Sequence, residues 1–258
     1  MSSKFLSTAT KAAKKAGKIV MKYYGKVIKK SYKEDRSIVT EADLESEKVI
    51  LDIIKNSFPN HAILSEEAGL QDSDSDFLWC IDPLDGTTNF SMKNPFFNIS
   101  IALLKNKEPI LGVVYYPPQD EMFHSELGKG AYLNDKLIKV SSKDSMKAAI
   151  FTFCNSRDEE SRRKVGKIYA ELKLTNNYVR QIGSAALELC MVASGRVESF
   201  FMIGVRSWDV AAGWIMVKEA GGMVTDFNGS PFNFDSKNLL ATNGTKIHDN
   251  LLEIIKKY

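Results

Sequence analysis

The sequence predicts a layered α/β (α+β) fold, and three observations carry that prediction. The first 58 residues hold two amphipathic helical patterns, short apolar segments divided by tight turns fill residues 77 to 140, and longer strand and helix patterns alternate from residue 148. With 258 residues, 44% of them apolar and 26% charged, the chain has material for one large domain or two that share a core. We expect two tightly packed halves, an α+β half over residues 1–144 and an α/β half over 145–258.

Each element has a local reason. Phe5, Ala9, Ala12, Ala16, Ile19 and Tyr23 recur three and four residues apart, the stripe of a helix that buries one side. Thr40 is a helix cap three residues before Asp43, and Leu44, Ile50, Leu51, Ile54 and Phe58 continue at helical spacing until Pro59-Asn60. Ala62–Leu64 and Phe77–Ile81 read as strands that both run into acids, Glu66-Glu67 and Asp82. Residues 98–104, 110–116, 121–126 and 137–140 read as further strands of an antiparallel portion, with turns at Pro117-Pro118 and Gly128–Gly130. Beyond them we expect strands at 150–153, 177–182, 197–203, 223–226 and 238–242. Helices are expected at 159–172, 184–193, about 209–219 and from about 246.

Composition excludes several classes. No apolar run nears the ~18 residues of a membrane-spanning helix. Cys80, Cys154 and Cys190 are odd in number and widely separated, which fits buried reduced thiols and, with no targeting signal in view, a cytoplasmic protein. His61, His124 and His248 form no metal-binding spacing. The net charge of +3 is uneven: ten lysines and no acid precede Glu34, and the other 225 residues net about −7. That lysine-rich helix is the basis of a rival reading, a nucleic-acid or protein binding module, although no aromatic residues interleave to stack on bases.

The chemistry concentrates in acids at strand ends and helix starts: Glu66-Glu67, Asp82, Asp85 and Asp209. Clustered carboxylates repel one another unless a cation neutralises them, and hard oxygen donors suit Mg²⁺. In Asp82-Pro83-Leu84-Asp85-Gly86-Thr87 the proline is expected to turn the chain directly after the strand. Both acids and the Leu84 carbonyl then face one point, while the Gly86 and Thr87 amides face a phosphate. Asp209 stands where a helix N-cap is expected, with Ala211, Ala212 and Gly213 allowing that turn to pack closely.

Two long segments, Trp79–Thr87 and Trp208–Gly213 with Glu219–Gly222, resemble the two signatures of the inositol monophosphatase family. Ser37–Asp43, Ser65–Glu67 and Arg180–Ala186 are similar to further segments of that family, in order. The resemblance implies the sugar-phosphatase sandwich of alternating αβαβα layers, a homodimer, and Mg²⁺-dependent, lithium-sensitive hydrolysis of a small phosphorylated metabolite by metal-activated water. It implies two to three Mg²⁺ ions on Glu66, Asp82, the Leu84 carbonyl, Asp85 and Asp209. Glu66, Thr87 and Asp43 would act on the water. Asp85, Gly86, Thr87, Arg180, Gly183, Ser184 and Ala185 would meet the substrate.

Substrate identity is the open point. Met202 occupies a position where inositol-specific relatives carry a glutamate, and Arg206 can serve either a second phosphate or a surface ion pair. Inositol-1-phosphate, fructose-1,6-bisphosphate and NADP or a 3′-phosphonucleotide all stay open. A phosphatase with an aspartyl nucleophile needs acids two apart, whereas Asp82 and Asp85 are three apart. Asp72–Asp76 begins like a calcium loop, but Phe77 and Pro83 occupy its glycine and final glutamate positions.

Overall fold

The computed structural model describes residues 3–27, 29–33, 37–156, 158–176 and 178–258. In chain order the elements are α1 (Lys4–Tyr23), β1 (Lys30–Tyr32), β2 (Ile38–Thr40), α2 (Glu41–Ser57), β3 (Ala62–Ser65), β4 (Gly69–Gln71), β5 (Phe77–Asp85) and α3 (Thr87–Ser91). Then come β6 (Asn98–Lys105), β7 (Glu108–Tyr116), β8 (Glu121–Glu126), β9 (Ala131–Leu133), β10 (Lys136–Ile138) and β11 (Phe151–Asn155). The chain closes with α4 (Glu159–Thr175), β12 (Val179–Arg180), α5 (Ala185–Ala193), β13 (Ser199–Ile203), α6 (Ser207–Glu219), β14 (Met223–Thr225), β15 (Asn238–Thr242) and α7 (Ile247–Ile255).

The larger sheet runs β10-β9-β8-β7-β6-β5-β3-β4 and is antiparallel apart from the β3–β5 pair. The smaller runs β12-β11-β13-β15-β14, with β11 parallel to both its neighbours. Helices α1 and α2 cover one face of the large sheet, α5 and α6 lie between the sheets, and α4 and α7 cover the outer face of the small one. This is the expected αβαβα sandwich.

Side-chain size explains how closely the layers approach. Helix α1 buries Leu6, Ala9, Ala12, Ala13, Ala16 and Val20, and a Cβ on Gly17 would lie 2.4 Å from the Tyr115 ring. Helices α5 and α6 are apolar on nearly every side because both of their faces are covered. A Cβ on Gly213 would meet Leu189 at 2.4 Å, and one on Gly112 the Ala212 carbonyl at 2.4 Å. Glycine at both positions lets α6 press against α5 and the large sheet, which fixes the start of α6 beside the end of β5.

Three expectations need correction. The strand pattern does not stop at Ile81; β5 continues through Pro83 to Asp85, and the sharp turn falls at Gly86, whose φ is +88°. Asp209 is not the N-cap of its helix: α6 starts at Ser207 after Arg206, so Asp209 sits in the first turn. The strand expected over 177–182 is only Val179–Arg180, and Asn177 lies outside the described residues. Strands β1, β2, β4 and β9, each three residues long, were not foreseen.

Candidate active site

A bulge is what brings the first two acids together. Asp82 pairs with Ser100 and Asp85 with Asn98, so three steps along β5 match two along β6. Residues three apart in a regular strand face opposite sides; the extra residue restores the phase and turns both acids to one side. Pro83 suits the bulge, having no N–H to leave unpaired. The Pro83 carbonyl accepts from Ser46 Oγ of α2 at 2.7 Å, which fixes the distorted segment to the helix layer.

Glu66, Asp82, Leu84, Asp85, Gly86, Thr87 and Asp209 line one cavity of about 360 Å³, which Gly183, Ala185 and Met202 also line. Asp82 and Asp85 are buried, at 2% and 8% exposure. Asp82 Oδ1 accepts from the Leu84 amide at 2.9 Å. Asp85 Oδ2 alone accepts from Asn98 Nδ2, Ser184 Oγ and the Ala186 amide at 2.8, 2.8 and 2.9 Å. Burial, and then the neighbouring acids, push the carboxyls of Asp82 and Asp209 well above their ordinary range; burial also raises Asp85.

Glu66 is presented by the loop after β3. Glu47 Oε1 gathers that loop by accepting from Ser65 Oγ at 2.5 Å and from the Glu67 and Ala68 amides at 3.2 and 3.0 Å. Lys33 Nζ donates to Glu66 and Glu67 at 2.8 and 2.6 Å. Burial alone would lower the lysine's pKa, but these two hydrogen bonds prevail and raise it. Burial lifts Glu67 to about 7 against the pull of Lys33.

Behind the cavity, Thr87 Oγ1 lies 3.0 Å from both Asp43 Oδ1 and the Leu84 carbonyl oxygen. One hydroxyl proton serves only one of them at a time. Asp43 also caps α2, accepting from the Thr40 amide at 2.9 Å, and burial raises its pKa to about 6 although the hydrogen bonds from Thr40 and Thr87 oppose the rise.

Among the described residues no group of three or more His, Cys, Asp and Glu side chains is gathered tightly enough to hold a metal ion as it stands. The donor chemistry nonetheless fits one. Buried carboxylates without a nearby cation are costly, by several kcal/mol per ion, and an all-oxygen set suits a hard divalent cation.

The family profile described as "Inositol monophosphatase family" matches residues 1–258. The chain belongs to the inositol monophosphatase family. A protein named Nus factor SuhB from Pasteurella multocida is 40% identical over 245 residues, covering 92% of this chain and 90% of its own. A fructose-1,6-bisphosphatase/inositol-1-monophosphatase from Thermotoga maritima is 38% identical over 253 residues, covering 98% and 96%. The crystal structure of the extragenic suppressor protein suhB from Bartonella henselae superposes with a TM-score of 0.94 at 34% identity, over 99% of each chain.

Not every residue expected at the site of an inositol monophosphatase family member reaches the cavity. Arg180 lies in an adjoining groove of about 640 Å³, where its Nη1 donates to the Val179 carbonyl at 3.0 Å. Arg206 lines a second lobe of about 520 Å³ with Lys33, Met202 and Trp208. Ser184 Oγ donates to Asp85, and Asp43 accepts from Thr87. Sequence reading missed Lys33, Glu47, Asn98 and Glu188. Glu188 is fully buried, its pKa raised by burial to about 8, and Cys154 Sγ donates to it at 3.0 Å. A charged residue inside an otherwise apolar helix was the signal that could have found it.

Proposed function

We propose that the protein is a Mg²⁺-dependent, lithium-sensitive phosphomonoesterase acting on inositol-1-phosphate or a related small sugar phosphate. The observation that carries this reading is the single cavity lined by Glu66, Asp82, Asp85 and Asp209 together with the Gly86–Thr87 backbone. Glu66, Asp82 and the Leu84 carbonyl would hold one ion, Asp82, Asp85 and Asp209 a second, and Glu66 a third. Bound there, magnesium supplies positive charge for the phosphate and the departing oxygen and makes water more acidic.

The chain's own residues do the rest. The Gly86 and Thr87 amides orient the phosphate. Thr87 Oγ1 holds the attacking water and relays its proton toward Asp43 Oδ1, 3.0 Å away, whose pKa near 6 suits a general base at neutral pH. Gly183, Ser184 and Ala185 face the alcohol. Attack would be direct, because Glu66, Asp82, Asp85 and Asp209 would hold the cations, which leaves none of these four acids as a nucleophile.

Phosphate release from inositol-1-phosphate, fructose-1,6-bisphosphate, NADP and adenosine-3′,5′-bisphosphate, with Mg²⁺ titrated and Li⁺ added, tests the reading. Hydrolysis of one ester that requires Mg²⁺ and falls with Li⁺ is expected; release from none of them, or release indifferent to Mg²⁺, overturns it. The family also brings a homodimer into the proposal, which light scattering checks.

A second reading has its own support. Lys11, Lys14, Lys15, Lys18, Lys22 and Lys26 are exposed on and just after α1, with no ion pair among the described residues, and some relatives are named Nus factors. Such a face fits a polyanion. Gel-shift titration with RNA at rising salt tests it: binding that weakens with salt and with Lys→Ala changes on α1 supports docking, and no shift at low salt rejects it.

A further inference from the structure

Helix α5 contains one acidic side chain, Glu188, and it is fully buried. Enclosing a carboxylate costs several kcal/mol unless donors surround it, so an apolar residue would serve the helix better if helix packing were the only requirement. The donors are unusual in origin. Glu188 accepts from three successive amides, Ile182, Gly183 and Ser184, at 3.4, 3.2 and 3.3 Å, and from Cys154 Sγ at 3.0 Å. Successive amides converging on one carboxyl group form a nest, and it lies at the start of α5.

The same loop faces the cavity with its other side. The Ile182 and Gly183 carbonyls accept from Asn89 Nδ2 at 2.9 and 3.2 Å, and Ser184 Oγ both donates to Asp85 and accepts from Asn98. Gly183, Ala185 and Cys154 line the same cavity as the acids. Glu188 therefore grips from behind the strip of backbone on which a substrate's alcohol portion would rest.

We propose that Glu188 is a positioning residue that sets specificity for the alcohol portion of the ester, by clamping residues 182–184 at the cavity wall. The proposal rests on the phosphatase reading above. Its effect is selective: an ester whose alcohol bears hydroxyl groups needs the wall in register, whereas an ester with a bare aromatic alcohol needs only the phosphate side.

The experiment compares wild type and Glu188→Gln on inositol-1-phosphate and on p-nitrophenyl phosphate. Glutamine keeps the shape but turns an NH₂ toward groups that all donate. For the polyol ester we expect kcat/KM to fall roughly ten- to thirtyfold, mainly through KM, and for p-nitrophenyl phosphate less than threefold. Glu188→Asp, which retains the carboxyl group, restores part of the difference. Equal losses on both esters, or no loss on either, overturn the proposal while leaving the phosphatase reading intact. Wild-type protein that hydrolyses neither ester overturns both. Should Glu188→Gln fail to fold, Cys154→Val removes one donor to the carboxylate and must show the same split at smaller size; a uniform effect there rejects the clamp.

Discussion

Lys33 Nζ lies 2.8 Å from Glu66 Oε1, so the acid expected to share cations at this site already has a counter-ion supplied by the chain. An incoming cation must compete with that ammonium. Replacing Lys33 with methionine removes the competitor, and Mg²⁺ affinity should rise about tenfold, roughly 1.4 kcal/mol. Both side chains are partly exposed, at 26% and 22%, so solvent screening keeps the effect modest. Calorimetric titration of Mg²⁺ into metal-free protein checks it, and equal or weaker binding by the variant counts against the pairing.

Asp82 carries the opposite burden, being buried among like charges with no ammonium in contact among the described residues. Its folded pKa stands well above the ~3.9 of an unfolded chain, so the stability cost is absent below that value and complete once pH passes the folded one. Metal-free Asp82→Asn should therefore be more stable than wild type at pH 8, by about 1–3 kcal/mol, and the advantage should vanish near pH 4. Asparagine Oδ1 can still accept from the Leu84 amide. Turnover should fall by at least ~10³. Thermal unfolding across pH and phosphate release at saturating Mg²⁺ measure the two halves; a variant both active and no more stable would refute the assignment.

How much of this was legible in the sequence follows from where each signal is stored. The stripe of α1, the Thr40 cap and the apolar strands are local patterns, and the Asp82–Thr87 segment carries its chemistry in six consecutive residues. The β5 bulge was not legible because register is a property of two strands: only the pairing of Asp82 with Ser100 and Asp85 with Asn98 reveals the extra residue. Lys33 read as one more member of a lysine run, since its acidic partners lie 33 and 34 positions away. Asn98 read as the start of a strand and Glu188 as part of a helix, and only tertiary structure turns one toward Asp85 and the other toward the 182–184 loop.

The turn at Gly86 gives a prediction with an internal control. Gly86 and Gly183 both have positive φ, +88° and +82°, so alanine at either incurs the left-handed penalty of roughly 1–2 kcal/mol. They differ in space: a Cβ at Gly86 would meet the Phe96 carbonyl at 2.6 Å, whereas at Gly183 the nearest atom is Asn89 Nδ2 at 3.4 Å. Gly86→Ala should lower Tm by about 5–10 °C and abolish turnover by displacing Asp85 and Thr87. Gly183→Ala should lose less than half as much stability. Equal losses would mean that the contact with Phe96 relaxes freely.

His248 offers a pH prediction remote from the acids. It is buried between two strands, its Nε2 3.2 Å from Thr225 Oγ1 and its Nδ1 3.0 Å from Thr242 Oγ1, so it joins α7 to β14 and β15. Burial lowers its pKa, and the nearby Asp249 only partly offsets this. The ring is thus held neutral in the fold while the unfolded chain takes up a proton below about pH 6.5. More protons bound in the unfolded state means that stability rises with pH, so the contribution of His248 is complete above pH 6.5 and is lost as pH falls below it. The C-terminal helix should loosen first, since α7 rests mainly on the α4 and β15 side of the sandwich. Hydrogen exchange at pH 7.5 and 5.0 checks this: amides of α7 should lose protection at the lower pH ahead of those in α5 and α6. Replacing His248 with glutamine should flatten that pH dependence, and an undiminished acid loosening of α7 in the variant would assign the effect to another group.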